Sequence, residues 1–185
     1  MLILNEHHHY IKDGRRCPGV TEICALLAPR FPCDPWYLER GRIGHLITEY
    51  HDRGELDEST IDQSLMGYFQ GYKKFEAEIK PEIILIEHPL YHPKYEYCGK
   101  PDRYGTMFRW KGVWDIKLGQ PYEADEIQDP AYLFLLIANG FPAEKCWDIY
   151  LKATGTYKLQ EIKNPTSKFL RFLGGIKQWR EENNR

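Results

Sequence analysis

The chain is short of several things that would place it at once. Net charge is nearly absent: 25 Lys and Arg stand against 27 Asp and Glu in 185 residues, a formal −2. That excludes a protein that coats a polyanion by bulk charge, so any such partner must be held locally. No apolar run approaches the roughly 18–20 residues of a membrane span, and no membrane partner is expected. Cysteine is sparse and scattered: Cys17, Cys24, Cys33, Cys98 and Cys146 are odd in number and form no CxxC pair, which predicts buried free thiols rather than a disulfide framework or a zinc ribbon. The opening MLILNEHHHYIKDG lacks the basic, apolar and small-residue succession of a secretory signal, which predicts a cytoplasmic protein. Internal repeats and low-complexity tracts are not evident, and Pro and Gly are spread as punctuation, so the expectation is one domain over residues 1–185.

What charge there is, is uneven. Residues 1–33 carry +1, residues 34–157 carry −7, and residues 158–185 carry +4. The acidic middle can supply metal ligands, and the basic end can rest on phosphate. Residues 1–33 read as a hairpin turning at Lys12-Asp13-Gly14-Arg15, then a short helix capped by Thr21 and stopped by Pro29 and Pro32. Asp34-Pro35 is an N-cap and first-turn pair for a helix reaching Gly54, with His45 and Glu49 on one face. A third helix is predicted from Ser59 or Thr60 to Ile79 through Leu65, Phe69, Tyr72 and Phe75. Three antiparallel strands follow over 82–119, with turns at His92-Pro93 and Lys111-Gly112. A helix over 123–139 ends at Gly140, and Pro130 is expected in its first turns or at a kink. Strands at CWDIYLKA and YKLQEI and a final helix over 166–182 complete an α/β (α+β) order that predicts a central mixed β-sheet flanked by helices on both sides.

The residues that point to chemistry are Asp102, after Pro101, and the pair Asp115 and Lys117. Two apart on a strand, Asp115 and Lys117 share a face that Asp102 on the neighbouring strand can meet. Two carboxylates and a backbone carbonyl make a hard-oxygen site for Mg²⁺ or Mn²⁺, and an adjacent lysine can orient and help deprotonate a water. The other reading of the same residues is a turn at Asp102 and an exposed Asp115–Lys117 ion pair of little weight.

Order along the chain adds to this. Gly41-Arg42-Ile43-Gly44-His45 forms a GxxxH helix, Gly99-Lys100-Pro101-Asp102 precedes Asp115-Ile116-Lys117, and Gln128 and Tyr132 form QxxxY on the next helix. In this set and order the chain, from Cys17 to about residue 152, resembles the PD-(D/E)XK nuclease superfamily, in the RecB-like branch that includes the phage lambda-type and RecE-type exonucleases. The resemblance implies a restriction-endonuclease-like core over 34–163 and a metal-dependent DNA exonuclease leaving 5′-phosphates. It implies that Asp102, Asp115 and the Ile116 carbonyl bind the metal, that His45 approaches the same or a second ion, and that Lys117 positions the attacking water. Gln128 and Tyr132 would reach phosphate oxygens. An acidic residue one strand upstream completes the site in some relatives; Glu87 and Glu49 compete for that place. No iron–sulfur cluster is expected, because only Cys146 follows the core. Lys168, Arg171, Lys177 and Arg180 on the basic helix of 164–185 are candidates for tracking linear DNA. Trp36, Tyr37, Trp110 and Trp114 are candidates for stacking on bases, and His7 to His9 for solvent or sheet packing. The resemblance also implies a phage or prophage recombination setting, a single-strand annealing partner and a homo-oligomer. A binding module with little catalysis, an endonuclease and an RNA-directed enzyme stay open beside it.

Overall fold

The computed structural model describes residues 2–4, 9–29 and 34–183. Along the chain run β1 (Leu2–Leu4), β2 (Tyr10–Lys12), β3 (Arg15–Cys17), α1 (Val20–Leu27), α2 (Pro35–Asp52), a 3₁₀ turn (Glu58–Thr60), α3 (Gln63–Ile79), β4 (Glu82–Ile86), β5 (Leu90–His92), β6 (Tyr97–Gly99), β7 (Arg103–Met107), β8 (Trp110–Lys117), α4 (Asp125–Ala138), β9 (Lys145–Lys152), β10 (Thr156–Glu161) and α5 (Pro165–Asn183). The central sheet has the order β10-β9-β8-β7-β4, and within it only β8 and β9 run parallel. It is a mixed sheet with helices on both faces.

The strand alternation of β8 sets the layers. Trp114, Ile116 and Leu118 enter one core with Trp147, Ile149 and Leu151 of β9, covered by Ile47 of α2 and by Leu65, Phe69, Tyr72 and Phe75 of α3. Val113 and Cys146 enter the other, beneath α1, α4 and α5, which contribute Ile23, Leu135, Phe172 and Ile176. Asp115 and Lys117 share the strand face of Val113, toward α4.

Several predicted boundaries hold and several move. Asp34 caps α2 by accepting from the Trp36 N–H at 2.9 Å, with Pro35 at the first helical position. The β2–β3 hairpin turns at Asp13 and Gly14, both with positive φ. Gly140 follows α4 at φ +82°, and Pro130 lies in its second turn. In α1 the N-cap is Gly19 rather than Thr21, with the Glu22 carboxylate accepting the Gly19 N–H at 3.4 Å. The segment at Ser59 forms only a 3₁₀ turn, and α3 starts after Asp62, whose carboxylate accepts from the Ser64 N–H at 2.8 Å. Lys111-Gly112 is not a turn: the chain reverses at Phe108-Arg109, and Gly112 sits inside β8, where a Cβ would lie 2.2 Å from the Lys145 carbonyl oxygen. Residues 90–99 are not in the main sheet either. They form the separate hairpin β5–β6, tied by the Cys98 N–H to the Pro18 carbonyl at 2.9 Å. His7, His8, Pro32 and Cys33 lie outside the described residues.

Candidate metal centre

Asp102 stands just before β7, and its carboxylate is held from two sides. Its Oδ2 accepts from the Ile116 N–H at 2.9 Å and lies 3.0 Å from His45 Nδ1. The same Ile116 N–H reaches Asp115 Oδ1 at 3.0 Å, so one amide on β8 gathers both carboxylates. The Asp102 carbonyl accepts from Arg103 Nη1 at 2.7 Å and from the Glu87 N–H at 3.0 Å, which brings the end of β4 alongside. Glu87 adopts φ +49° there, and one oxygen of its carboxylate, one of Asp102 and a His45 ring nitrogen lie within 4.8 Å of one another. Gly44 makes this approach possible, since a Cβ at that position would meet Leu118 Cδ2 at 2.1 Å and hold α2 off the end of β8.

Lys117 emerges beside them. Its Nζ pairs with Asp115 Oδ2, lies 3.5 Å from Asp125 Oδ1 and donates to Gln128 Oε1 at 3.3 Å. Gln128 Nε2 in turn lies 3.5 Å from the Tyr132 hydroxyl. Gln128 and Tyr132 therefore share one face of α4, as their spacing requires. Tyr132 is buried, however, and the chain from it leads to the ammonium of Lys117 rather than to open solvent.

The electrostatics follow from burial. Asp102 and Asp115 are 7% and 1% exposed. Burial pushes the Asp115 carboxyl well up from the usual range, and the neighbouring Asp102 charge adds to it. Asp102 is held well below its range: burial opposes ionisation there, but His45 and Arg103 outweigh it. His45 shows the reciprocal effect, since burial lowers it while Asp102 and Asp115 raise it to about 9. Burial and Asp102 lift Glu87 to about 7, against the pull of Lys100 at 2.6 Å. Lys117 is desolvated, yet Asp115, Asp125, Asp129 and Asp148 raise it well above the lysine range.

Behind Lys117 lies a set of acids that the sequence reading missed. Asp125, Asp129 and Asp148 are all buried. The signal was present as an echo: Trp114-Asp115-Ile116-Lys117-Leu118 in β8 and Trp147-Asp148-Ile149-Tyr150-Leu151 in β9. The parallel register sets Asp115 directly beside Asp148. In a third compact group, His51, Asp52 and Glu76, His51 pairs with Glu76 at 2.7 Å and Asp52 Oδ2 takes Arg103 and the Tyr72 hydroxyl, while Asp52 Oδ1 has no donor among the described residues.

The remaining candidates fall elsewhere. Glu49 pairs with Arg53 at 3.0 Å and takes no part in the group of His45, Glu87 and Asp102. On α5, Lys168 pairs with Glu126, Arg171 with Glu123 at 2.6 Å, Lys177 with Glu181 at 3.9 Å and Arg180 with Glu96 at 3.1 Å, so the basic helix is largely neutralised by acids around it. Trp114 is core, Trp110 is half-buried, and Trp36 and Tyr37 are exposed on the first turn of α2. No described helix is long and apolar enough to cross a membrane.

No family model matches the chain, and no curated protein matches it. Among solved structures, similar chain courses occur in LHK-Exo in complex with dAMP (13% identity, 90% of this chain and 87% of that one, TM-score 0.49). They also occur in LHK-Exo determined as an alkaline exonuclease from Laribacter hongkongensis (12% identity, 90% and 91%, TM-score 0.41) and in SSO0001 (15% identity, 87% and 75%, TM-score 0.41).

Proposed function

We propose that the chain is a divalent-metal-dependent nuclease that hydrolyses phosphodiester bonds in DNA, acting from linear ends. The observation that carries this reading is the meeting of the Asp102 and Asp115 carboxylates on the single N–H of Ile116, with the Lys117 ammonium on one side and His45 on the other. The alternative of a turn and an exposed ion pair loses its support, because Asp102 and Asp115 are buried and converge.

The donor set fits a hard divalent cation. Carboxylate oxygens of Asp102 and Glu87 and a ring nitrogen of His45 lie within 4.8 Å of one another, a mix of hard oxygen and imidazole donors that suits such an ion. Asp102, Asp115, His45, Glu87 and the Ile116 carbonyl are the groups that would hold Mg²⁺ or Mn²⁺. A cation so bound would polarise the scissile phosphate and acidify a water.

The protein's own groups divide the remaining work. Lys117, held beside Asp115 and Asp125, orients a water and meets charge building on phosphoryl oxygens by donating hydrogen bonds. Gln128 accepts from Lys117 and fixes its reach, and Tyr132 holds the far end of Gln128. The direct contact of Gln128 and Tyr132 with phosphate, expected from the motif, gives way in this reading to positioning of Lys117. The test is digestion of end-labelled linear DNA with Mg²⁺ or Mn²⁺, beside circular DNA and linear RNA. Metal-dependent loss of linear DNA alone supports the proposal; cutting of circles makes the chain an endonuclease, cutting of RNA changes the substrate, and no cleavage in any arm leaves a binding module.

A further inference from the structure

The acids behind Lys117 ask for more positive charge than the protein supplies. In the parallel register of β8 and β9, Asp115 and Asp148 sit side by side on the α4 face, and Asp129 comes down to them from α4. One carboxylate oxygen from each lies within 4.8 Å of the others. Asp129 is 0% exposed, and neither of its oxygens has a hydrogen-bond donor among the described residues. Asp148 is equally buried; its Oδ2 accepts from the Tyr150 hydroxyl at 3.1 Å, and its Oδ1 has no donor. The ammonium of Lys117, beside them, is paired with Asp115 and lies 3.5 Å from Asp125.

The comparison inside the molecule is the group of His51, Asp52 and Glu76, which is just as compact. There Asp52 Oδ2 has Arg103 and Tyr72 and Glu76 has His51, so each carboxylate is paired with a donor, and Asp52 Oδ1 alone is left without one among the described residues. At Asp129 the charge of Lys117 is felt, but no donor among the described residues bonds to either oxygen. Buried carboxylate oxygens without donors are costly, and native proteins satisfy them with a proton, a water or a cation. Three carboxylates from three elements, with no sulfur or nitrogen among the donors, select a hard divalent ion of the Mg²⁺ or Mn²⁺ class.

We propose that Asp115, Asp129 and Asp148 form a second divalent-cation site on the α4 side of Lys117, distinct from the group of His45, Glu87 and Asp102. Binding there is independent of cleavage and does not rest on the nuclease reading, although Asp115 is common to both sites. An ion at this place neutralises the acids that hold Lys117 and ties β8, β9 and α4 together at the centre of the fold.

The experiment is titration of the full chain with Mn²⁺ alone, followed by calorimetry and by the electron paramagnetic resonance of free Mn²⁺. The expected stoichiometry is two for the wild type, one for D129N and D148N, and one for D102N. Two ions retained by D129N and D148N would overturn the proposal and show that a proton or water serves Asp129. A single wild-type ion lost in D129N but kept in D102N sustains this site while the nuclease reading loses its metal; the reverse pattern, or no binding at all, overturns this site. Should D129N not fold, the wild type still decides: two equivalents sharing Asp115 give a spin-coupled Mn²⁺ pair, and an isolated-ion spectrum contradicts it.

Discussion

Arg103 is the concealed support of the candidate metal centre, and its removal has a calculable consequence. Its guanidinium and the Asp52 carboxylate have side-chain exposures of 1% and 0%. Arg103 Nε donates to Asp52 Oδ2, which also accepts from Tyr72 at 2.7 Å, while Nη1 holds the Asp102 carbonyl at 2.7 Å and Nη2 lies 3.4 Å from Thr48. Arg103→Met keeps much of the stem's volume but leaves Asp52 a buried charge that has lost its guanidinium and keeps the Tyr72 hydroxyl as donor. Breaking such a pair from one side costs about 3–5 kcal/mol. With a urea slope of about 2 kcal/mol per molar, the midpoint should fall by roughly 1.5–2.5 M. Asp52→Leu should cost a similar amount for the opposite reason. The double variant removes both charges and should lose less than the two single losses added together, by about 2 kcal/mol or more in a double-mutant cycle. Equilibrium urea unfolding followed by tryptophan fluorescence reads all three. A loss under about 1 kcal/mol in Arg103→Met, or simple additivity in the double variant, would refute the claim that this pair is a closed, mutually dependent unit.

The two glycines of the GxxxH stretch should behave oppositely. Gly41→Ala, with nothing within 4 Å of the added Cβ, should stabilise α2 by about 0.5–1 kcal/mol, whereas Gly44→Ala, driven into Leu118, should cost about 1–3 kcal/mol and weaken Mn²⁺ binding by moving His45. Thermal unfolding and calorimetry check both. The Sγ atoms of Cys17 and Cys98 lie 2.8 Å apart, so diamide, which takes up two electrons and two protons, should join them, with loss of two titratable thiols and none in Cys17→Ser beyond the single substitution. The Asp62 cap gives a pH effect of known sign. Hydrogen bonds from Ser64 depress its carboxyl below 3.8, so its contribution to α3 is present above that value and is lost as pH falls through the lowered one. Acid unfolding of Asp62→Ala should therefore converge with wild type at the acid end and diverge above pH 4.

The sequence made some of this legible for local reasons. Asp34-Pro35 names a helix start because a short carboxylate and a fixed φ act within one turn, and Asp115 and Lys117 share a face because strand periodicity is 2. Gly112 was misread as a turn because a glycine needed for a close approach to Lys145 looks the same in sequence as one needed for positive φ. What sets Glu87 rather than Glu49 beside His45 and Asp102 is the pairing of β4 with β7, a long-range contact no window contains. Asp148 stayed invisible for the same reason: its neighbour Asp115 is fixed by parallel pairing across α4, and only the echo of WDIKL in WDIYL could have pointed to it. The basic charge of α5 was legible, but the acids at and just before the start of α4 and in the β5–β6 hairpin that neutralise it were not.

The central claim is that Asp115 and Lys117 act together on a phosphodiester. Single-turnover digestion of end-labelled linear DNA in Mg²⁺ or Mn²⁺, for the wild type, Asp115→Asn and Lys117→Met, tests it directly. The account predicts cleavage that needs the metal and falls by about 10²-fold or more in either variant, each folded by circular dichroism. Cleavage that persists undiminished in both variants would contradict it.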